Sequence, residues 1–184
     1  MLLIGSSPAG RHIEQHDVFF GVGNSIRDVV PQAIAFWPEA RNSFHLDAWR
    51  AVTKVDNFEV RVVAQADTNS DNQLFFINLG GYKQNEFEEF HYKLLAAAPN
   101  KNEALKQAKS TAFFKHTGFK GATAHIDDKY GIDVDDFYAI REILPDAVKK
   151  KFSLVLRLAA PDTPEDELHL GYFRPDRIND WAPE

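Results

Sequence analysis

Cysteine is absent from the 184 residues, which excludes disulfides and thiolate chemistry and leaves His, Asp and Glu as the side chains able to hold a metal. Long apolar runs are missing too. The opening Met1-Leu2-Leu3-Ile4 gives way at once to Gly5-Ser6-Ser7-Pro8, without the basic flank and apolar core of a secretory signal. No stretch reaches the ~20 apolar residues of a membrane-spanning helix, so a cytoplasmic protein that does not insert into a membrane is expected. Positive charge is also in short supply: Lys and Arg number 21 against 27 Asp and Glu, a net charge of -6. Binding along a phosphate backbone draws its affinity from clustered Lys and Arg. The one dense basic run, Lys149-Lys150-Lys151, reads as a solvated turn, so nucleic acid is not expected as a partner. Ile4 to Arg11 lacks the Lys-Ser/Thr ending of a P-loop and the glycine spacing of a dinucleotide fold, and no nucleophile elbow, zincin helix or calcium loop is found.

What is present is a composition suited to a folded core, with 44% apolar and 26% charged residues. Landmarks also recur. His16 to Gly23 reads like Asn72 to Gly81, with Phe19-Phe20 echoed by Phe75-Phe76 at a spacing of 56; His45-Leu46-Asp47 is echoed by His125-Ile126-Asp127, and Val55 to Phe58 by Val134 to Phe137, at 80 and 79. The expected fold is therefore α+β, a strand-rich tandem repeat of two diverged units with antiparallel or mixed sheets. Residues 1-68 form the first unit with its polar N-terminal loop, 69-145 the second, and 146-184 a C-terminal β-hairpin. Strands are expected over 33-37, 60-64, 87-98, 137-144 and 152-158, where β-branched, aromatic and leucine residues concentrate. One helix is expected near 100-114, where Asn100 can cap and Glu103 sits at capping-box spacing. It would be an insertion in the second unit, because Pro38 to Ser43 is too short for more than a turn. The final hairpin would turn at Pro161-Asp162-Thr163-Pro164-Glu165.

Several of these segments together resemble a bacterial family known as domain of unknown function 1543, whose members carry one or two copies of a domain. The resemblance is carried by Gly10 to Gly21 (GRHIEQHDVFFG), Phe36-Trp37-Pro38, His45-Leu46-Asp47-Ala48-Trp49, and Leu79-Gly80-Gly81-Tyr82-Lys83 followed by Glu86, Glu89 and His91. It spans most of residues 10 to 144 and implies a two-copy protein. It brings no activity, cofactor or catalytic residue with it, and nothing after residue 145 takes part.

Candidate chemistry rests on polar clusters. In Arg11-His12-Ile13-Glu14-Gln15-His16-Asp17, extended backbone would point His12, Glu14 and His16 to one side, an arrangement open to a divalent metal or to acid-base work. The plainer alternative is a polar strand edge, since metal sites usually draw ligands from more than one element. His45 and Asp47, like His125 and Asp127, would place an imidazole beside a carboxylate, either as an oriented pair or as a recurring structural joint. Glu89 and His91 alternate with apolar neighbours as in any half-buried strand, with Glu86 and Glu89 as further candidate ligands or bases. Phe19, Phe20, Phe75, Phe76, Phe36 and Trp37 are expected in the core. A non-catalytic binding or assembly module is the function expected first, with a homo-oligomer and a small-molecule ligand as its candidate partners. The rival is a metal-dependent or hydrolase-like enzyme acting on a small molecule at the junction of the two repeats. No particular cofactor is implied. The charge balance predicts a flat fluorescence-anisotropy titration with single- and double-stranded oligonucleotides at low salt; saturable binding would contradict it.

Overall fold

The computed structural model describes residues 1-65, 70-82, 85-110 and 132-181. Near the N-terminus, β1 (Leu2–Ser6) pairs antiparallel with β2 (Gln15–Phe19), in register from Leu2↔Phe19 to Ser6↔Gln15. Residues 33-37, expected as a strand, instead lie at the end of a helix, α1 (Ile26–Phe36). Two features explain the difference. The Asp28 carboxylate accepts from the backbone N–H groups of Asn24 and Ser25 at 2.9 and 3.1 Å, satisfying donors at the helix start. Val29, Val30 and Ala33 then form a buried face against Leu2, Ile4 and Leu46, which outweighs the N–H lost at Pro31. The chain returns as β3 (His45–Trp49) on the other side of β1, and the sheet runs β10-β3-β1-β2, with β10 being His169–Phe173.

The same order of elements follows later. β6 (Gln73–Tyr82) lies between β7 (Glu89–Ala98) and β8 (Ile132–Ala139), and α2 (Lys101–Lys109) follows β7. Asn100 caps α2 by accepting from the Glu103 N–H at 3.1 Å. Ala104 and Ala108 are fully buried against Phe75, Ile77 and Leu79, close contact that larger side chains would prevent. In element order, α2 follows β7 as α1 follows β2. Gly5 and Gly80, Glu14 and Glu89, His16 and His91, and the cap residues Ser25 and Asn100 are each 75 positions apart. Phe19 and Phe75 are not counterparts, because Phe19 ends the edge strand β2 while Phe75 lies in the central strand β6.

A third sheet joins the two segments. β4 (Lys54–Val55) pairs with β5 (Phe58–Ala64), and β5 pairs antiparallel with β9 (Phe152–Leu158), from Phe58↔Leu158 through Arg61↔Val155 to Ala64↔Phe152. The C-terminal hairpin is present, and its arms reach different sheets: β9 joins β5, and β10 joins β3. Residues expected to continue a strand to 144 form the short helix Ile140–Ile143 after β8 ends at Ala139. Between the segments lies a core of Phe20, Val60, Leu74, Phe76, Ile140, Leu144 and Leu156, in which the rings of Phe20 and Phe76 meet edge to face at 5.5 Å. Phe36, expected in the core, is 50% exposed, whereas Phe19, Phe20, Phe75 and Phe76 are buried. Asp56, at φ 53 in the turn between β4 and β5, accepts from the Ala97 N–H at 2.8 Å and so satisfies a donor of the edge strand β7. Phe76→Ala should cost about 3–5 kcal/mol, read as a lower urea midpoint with little change in slope.

Candidate functional site

In the first segment, Gly5 pairs with His16 of β2 on one side and with His45 of β3 on the other. The β1–β3 register shifts between Leu3 and Ile4: Leu3 faces Ala48 and Ile4 faces Leu46, which leaves Asp47 as the extra residue of a β-bulge. A bulge of this kind re-aims one side chain. Here it turns the Asp47 carboxylate over Gly5, where an added Cβ would sit 2.8 Å from Asp47 Oδ2 and against His45 Nε2. A glycine is required because the imidazole and the carboxylate occupy the space of a side chain.

Four side chains close into a ring above this glycine. Glu14 lies 3.0 Å from His45 Nε2 through Oε1 and 3.6 Å from His16 Nε2 through Oε2; Asp47 lies 3.4 Å from His45 Nε2 through Oδ1 and 3.2 Å from His16 Nε2 through Oδ2. Each carboxylate therefore spans both imidazoles. Glu14 and His16 are about two-fifths exposed, while the His45 side chain is only 2% exposed. His45 Nδ1 is 3.0 Å from the Ser43 carbonyl. A carbonyl can only accept, so Nδ1 carries a proton and Nε2 is the nitrogen turned to the carboxylates. Ser43 is itself held: its hydroxyl meets Ser6 Oγ at 2.7 Å and accepts from the Ser7 N–H at 3.1 Å. Tyr172 of β10 stacks on the His45 ring at 4.3 Å.

The ring is not satisfied by its own hydrogen bonds. His45 Nε2 and Asp47 Oδ2 are both sealed from solvent without a hydrogen-bond partner. Their neighbours lie within ion-pair distance but outside hydrogen-bonding geometry. A neutral imidazole would present a lone pair to two carboxylates, so the centre of the ring calls for positive charge.

The second segment holds a similar strand arrangement. Gly80 pairs with His91 and with Asp133, the β6–β8 register shifts between Asn78 and Leu79, and Asp135 is the bulge residue. A Cβ at Gly80 would sit 2.8 Å from Asp135 Oδ1. His91 Nε2 is 3.2 Å from Asp135 Oδ2, and donor atoms of Glu89, His91 and Asp135 lie within 4.8 Å of one another. These three are exposed, and at the position matching His45 the chain has Asp133. The hydrogen bond with Glu89 raises the Tyr82 phenol above its usual range.

Of the residues singled out from sequence, Glu14, His16, His45 and Asp47 come together, and Glu89 and His91 join a second set. His12 does not share the ring: it and Arg11 are exposed ahead of β2, which begins only at Gln15, so the two-residue alternation does not extend back to them. Asp17 is in register with Ile4 rather than Gly5, and its Oδ1 accepts from its neighbour Val18 N–H at 2.7 Å. Glu86 is exposed in the connection between β6 and β7, and His125 and Asp127 lie outside the described residues. Sequence reasoning missed Asp135, Tyr172 and the two glycines. The signal available for the two glycines was Gly5 and Glu14-x-His16 repeated as Gly80 and Glu89-x-His91 at one constant spacing.

Residues 11-62 match the family model described as Domain of Unknown Function (DUF1543), a span that holds all four ring residues. Among solved structures, the crystal structure of a protein Il1583 from Idiomarina loihiensis is similar, with 18% identity, a TM-score of 0.62 and coverage of 94% of this chain and 93% of that one. At this identity the likeness shows the fold alone. No curated protein matches the chain.

Gly5→Ala should destabilise the protein by about 1–3 kcal/mol, because the added methyl meets the buried His45 ring. Gly80→Ala should cost less, since the exposed Asp135 carboxylate can rotate away. Chemical denaturation of both variants checks the order; equal losses would count against a role for His45 burial.

Proposed function

We propose that this chain, which belongs to the DUF1543 family through residues 11-62, is a non-catalytic binding module built by tandem duplication. It would act in the bacterial cytoplasm, and its binding site would be the ring of Glu14, His16, His45 and Asp47. One observation carries the reading: four side chains from β2, β3 and the approach to β2 converge on a bare glycine and leave two sealed polar atoms without hydrogen bonds. A purely structural joint would satisfy such atoms from within, because each unmet buried polar group costs about 1–3 kcal/mol. Exposure of Glu14 and His16 leaves one side of the ring open to a ligand. All four residues lie between 14 and 47, which favours a site within one unit over an enzyme centre at the junction of two.

Duplication is supported by the constant spacing of 75 across both hairpins and helix caps, and by bulges at matching positions in the two β ladders. Recurrence of the glycine, the Glu-x-His and the bulged Asp is what a binding site copied with its unit would leave. The absence of cysteine suits a reducing compartment.

Native mass spectrometry of freshly purified protein, compared with its denatured mass, tests the reading. Added mass that is lost on denaturation is expected, and His16→Ala should shed it without a change in far-UV circular dichroism, whereas Glu86→Gln should keep it. Bare protein in the native spectrum, or mass held equally by His16→Ala, would count against binding at the ring. The same spectrum reports subunit number, for which a homodimer is expected.

A further inference from the structure

We propose that the ring above Gly5 binds one divalent transition-metal ion of the zinc class, an inference that rests on this face being a binding site and goes on to name its ligand. The donors would be Nε2 of His16, Nε2 of His45, and one oxygen each from Glu14 and Asp47. Four features lead to this assignment.

The first is His45. Its side chain is 2% exposed, its Nε2 has no hydrogen-bond partner, and that atom is aimed at two carboxylates. The second is the proton on Nδ1, held by the Ser43 carbonyl at 3.0 Å. Metal-binding imidazoles are oriented in this way, with the far nitrogen donating to a fixed acceptor so that the near one offers its lone pair. Ser6 and Ser7 in turn fix Ser43 through its hydroxyl.

The third feature is spacing. Each Nε2 lies 3.0–3.6 Å from an oxygen of each carboxylate, and Glu14 and Asp47 turn a different oxygen to each imidazole. Zinc bonded tetrahedrally to nitrogen and oxygen at about 2.0–2.1 Å would set its ligands about 3.3–3.4 Å apart. Glu14 and Asp47 are partly exposed at 40% and 27%, so each carboxylate can rotate to offer a single oxygen to an ion lying between the two imidazoles. The fourth is donor type. Two imidazoles with two carboxylates suit zinc and its neighbours, whereas calcium and magnesium favour sites made of oxygen alone. Charge agrees: two carboxylates and two neutral imidazoles carry a net charge of about −2, which a divalent ion cancels.

The test is a titration of the full chain after treatment with a chelator, using Zn²⁺ by calorimetry and Co²⁺ by visible absorption. Saturable Zn²⁺ binding is expected, with a Co²⁺ spectrum of four-coordinate intensity and far weaker binding of Mg²⁺. Asp47→Asn and His16→Gln, which keep side-chain shape, should each weaken one Zn²⁺ equivalent by at least about tenfold. Glu86→Gln should change nothing. Zn²⁺ should also raise Tm of the parent more than that of Asp47→Asn.

Absence of Zn²⁺ binding, or binding that neither Asp47→Asn nor His16→Gln weakens, overturns the assignment. The broader reading fails separately. Should chelator-treated protein ignore Zn²⁺ while native protein retains an organic mass that His16→Ala sheds, the ring is a binding site for something other than a metal. Should neither be seen, both readings fall.

Discussion

The site depends on a missing methyl group. Gly5 lies at the centre of three strands, and the space a Cβ would fill is taken by the His45 imidazole and the Asp47 carboxylate. Asp47 reaches that space only because the β1–β3 register slips by one residue beside it. Bulge and glycine therefore require each other: the bulge aims the carboxylate inward, and the glycine leaves room for it. On the opposite side of β1, Leu2 and Ile4 pack beneath α1 and fix the strand from below. The polar ring is thus mounted on a strand whose other face is mainly apolar, with Ser6 its one buried polar residue.

Burial divides the labour within the ring. His45 is held by the Ser43 carbonyl below and Tyr172 above, so it is the fixed member. Glu14, His16 and Asp47 are partly open to solvent and can move. A preorganised nitrogen faced by mobile carboxylates lowers the ordering cost of binding while leaving a way in. The second segment lacks the buried imidazole, and its Glu89, His91 and Asp135 are exposed. The two segments therefore have similar strand pairings around a bare glycine but different local charge environments.

Much of this was legible in the sequence, and the failures have physical causes. The α+β character, β5, β7, β9 and the cap at Asn100 followed from alternation, β-branched content and capping chemistry. Helix α1 did not, because Pro31 and the run Ala33-Ile34-Ala35-Phe36-Trp37 carry local preferences that burial of Val29, Val30 and Ala33 overrides. His45 and Asp47 could be named from sequence but not joined to Glu14 and His16. Their meeting depends on β1 lying between β2 and β3 and on a bulge, neither of which alternation reveals. Aligning Phe19-Phe20 with Phe75-Phe76 followed similar composition, while the glycine and Glu-x-His landmarks follow position in the sheet.

The ladder between β5 and β9 ties the two segments by strands that follow β3 and β8 respectively, paired antiparallel about Arg61↔Val155. Antiparallel pairing of this kind satisfies the backbone donors and acceptors of both strands, and a strand deprived of its partner is left open to pairing with another chain. A chain holding only one such segment would present that strand as an unpaired edge, with Val60 and its neighbours stripped of their cover. It would be driven to associate with a copy of itself. Here both strands of the seam belong to one polypeptide, so it forms at a fixed local concentration that does not depend on how much protein the cell contains.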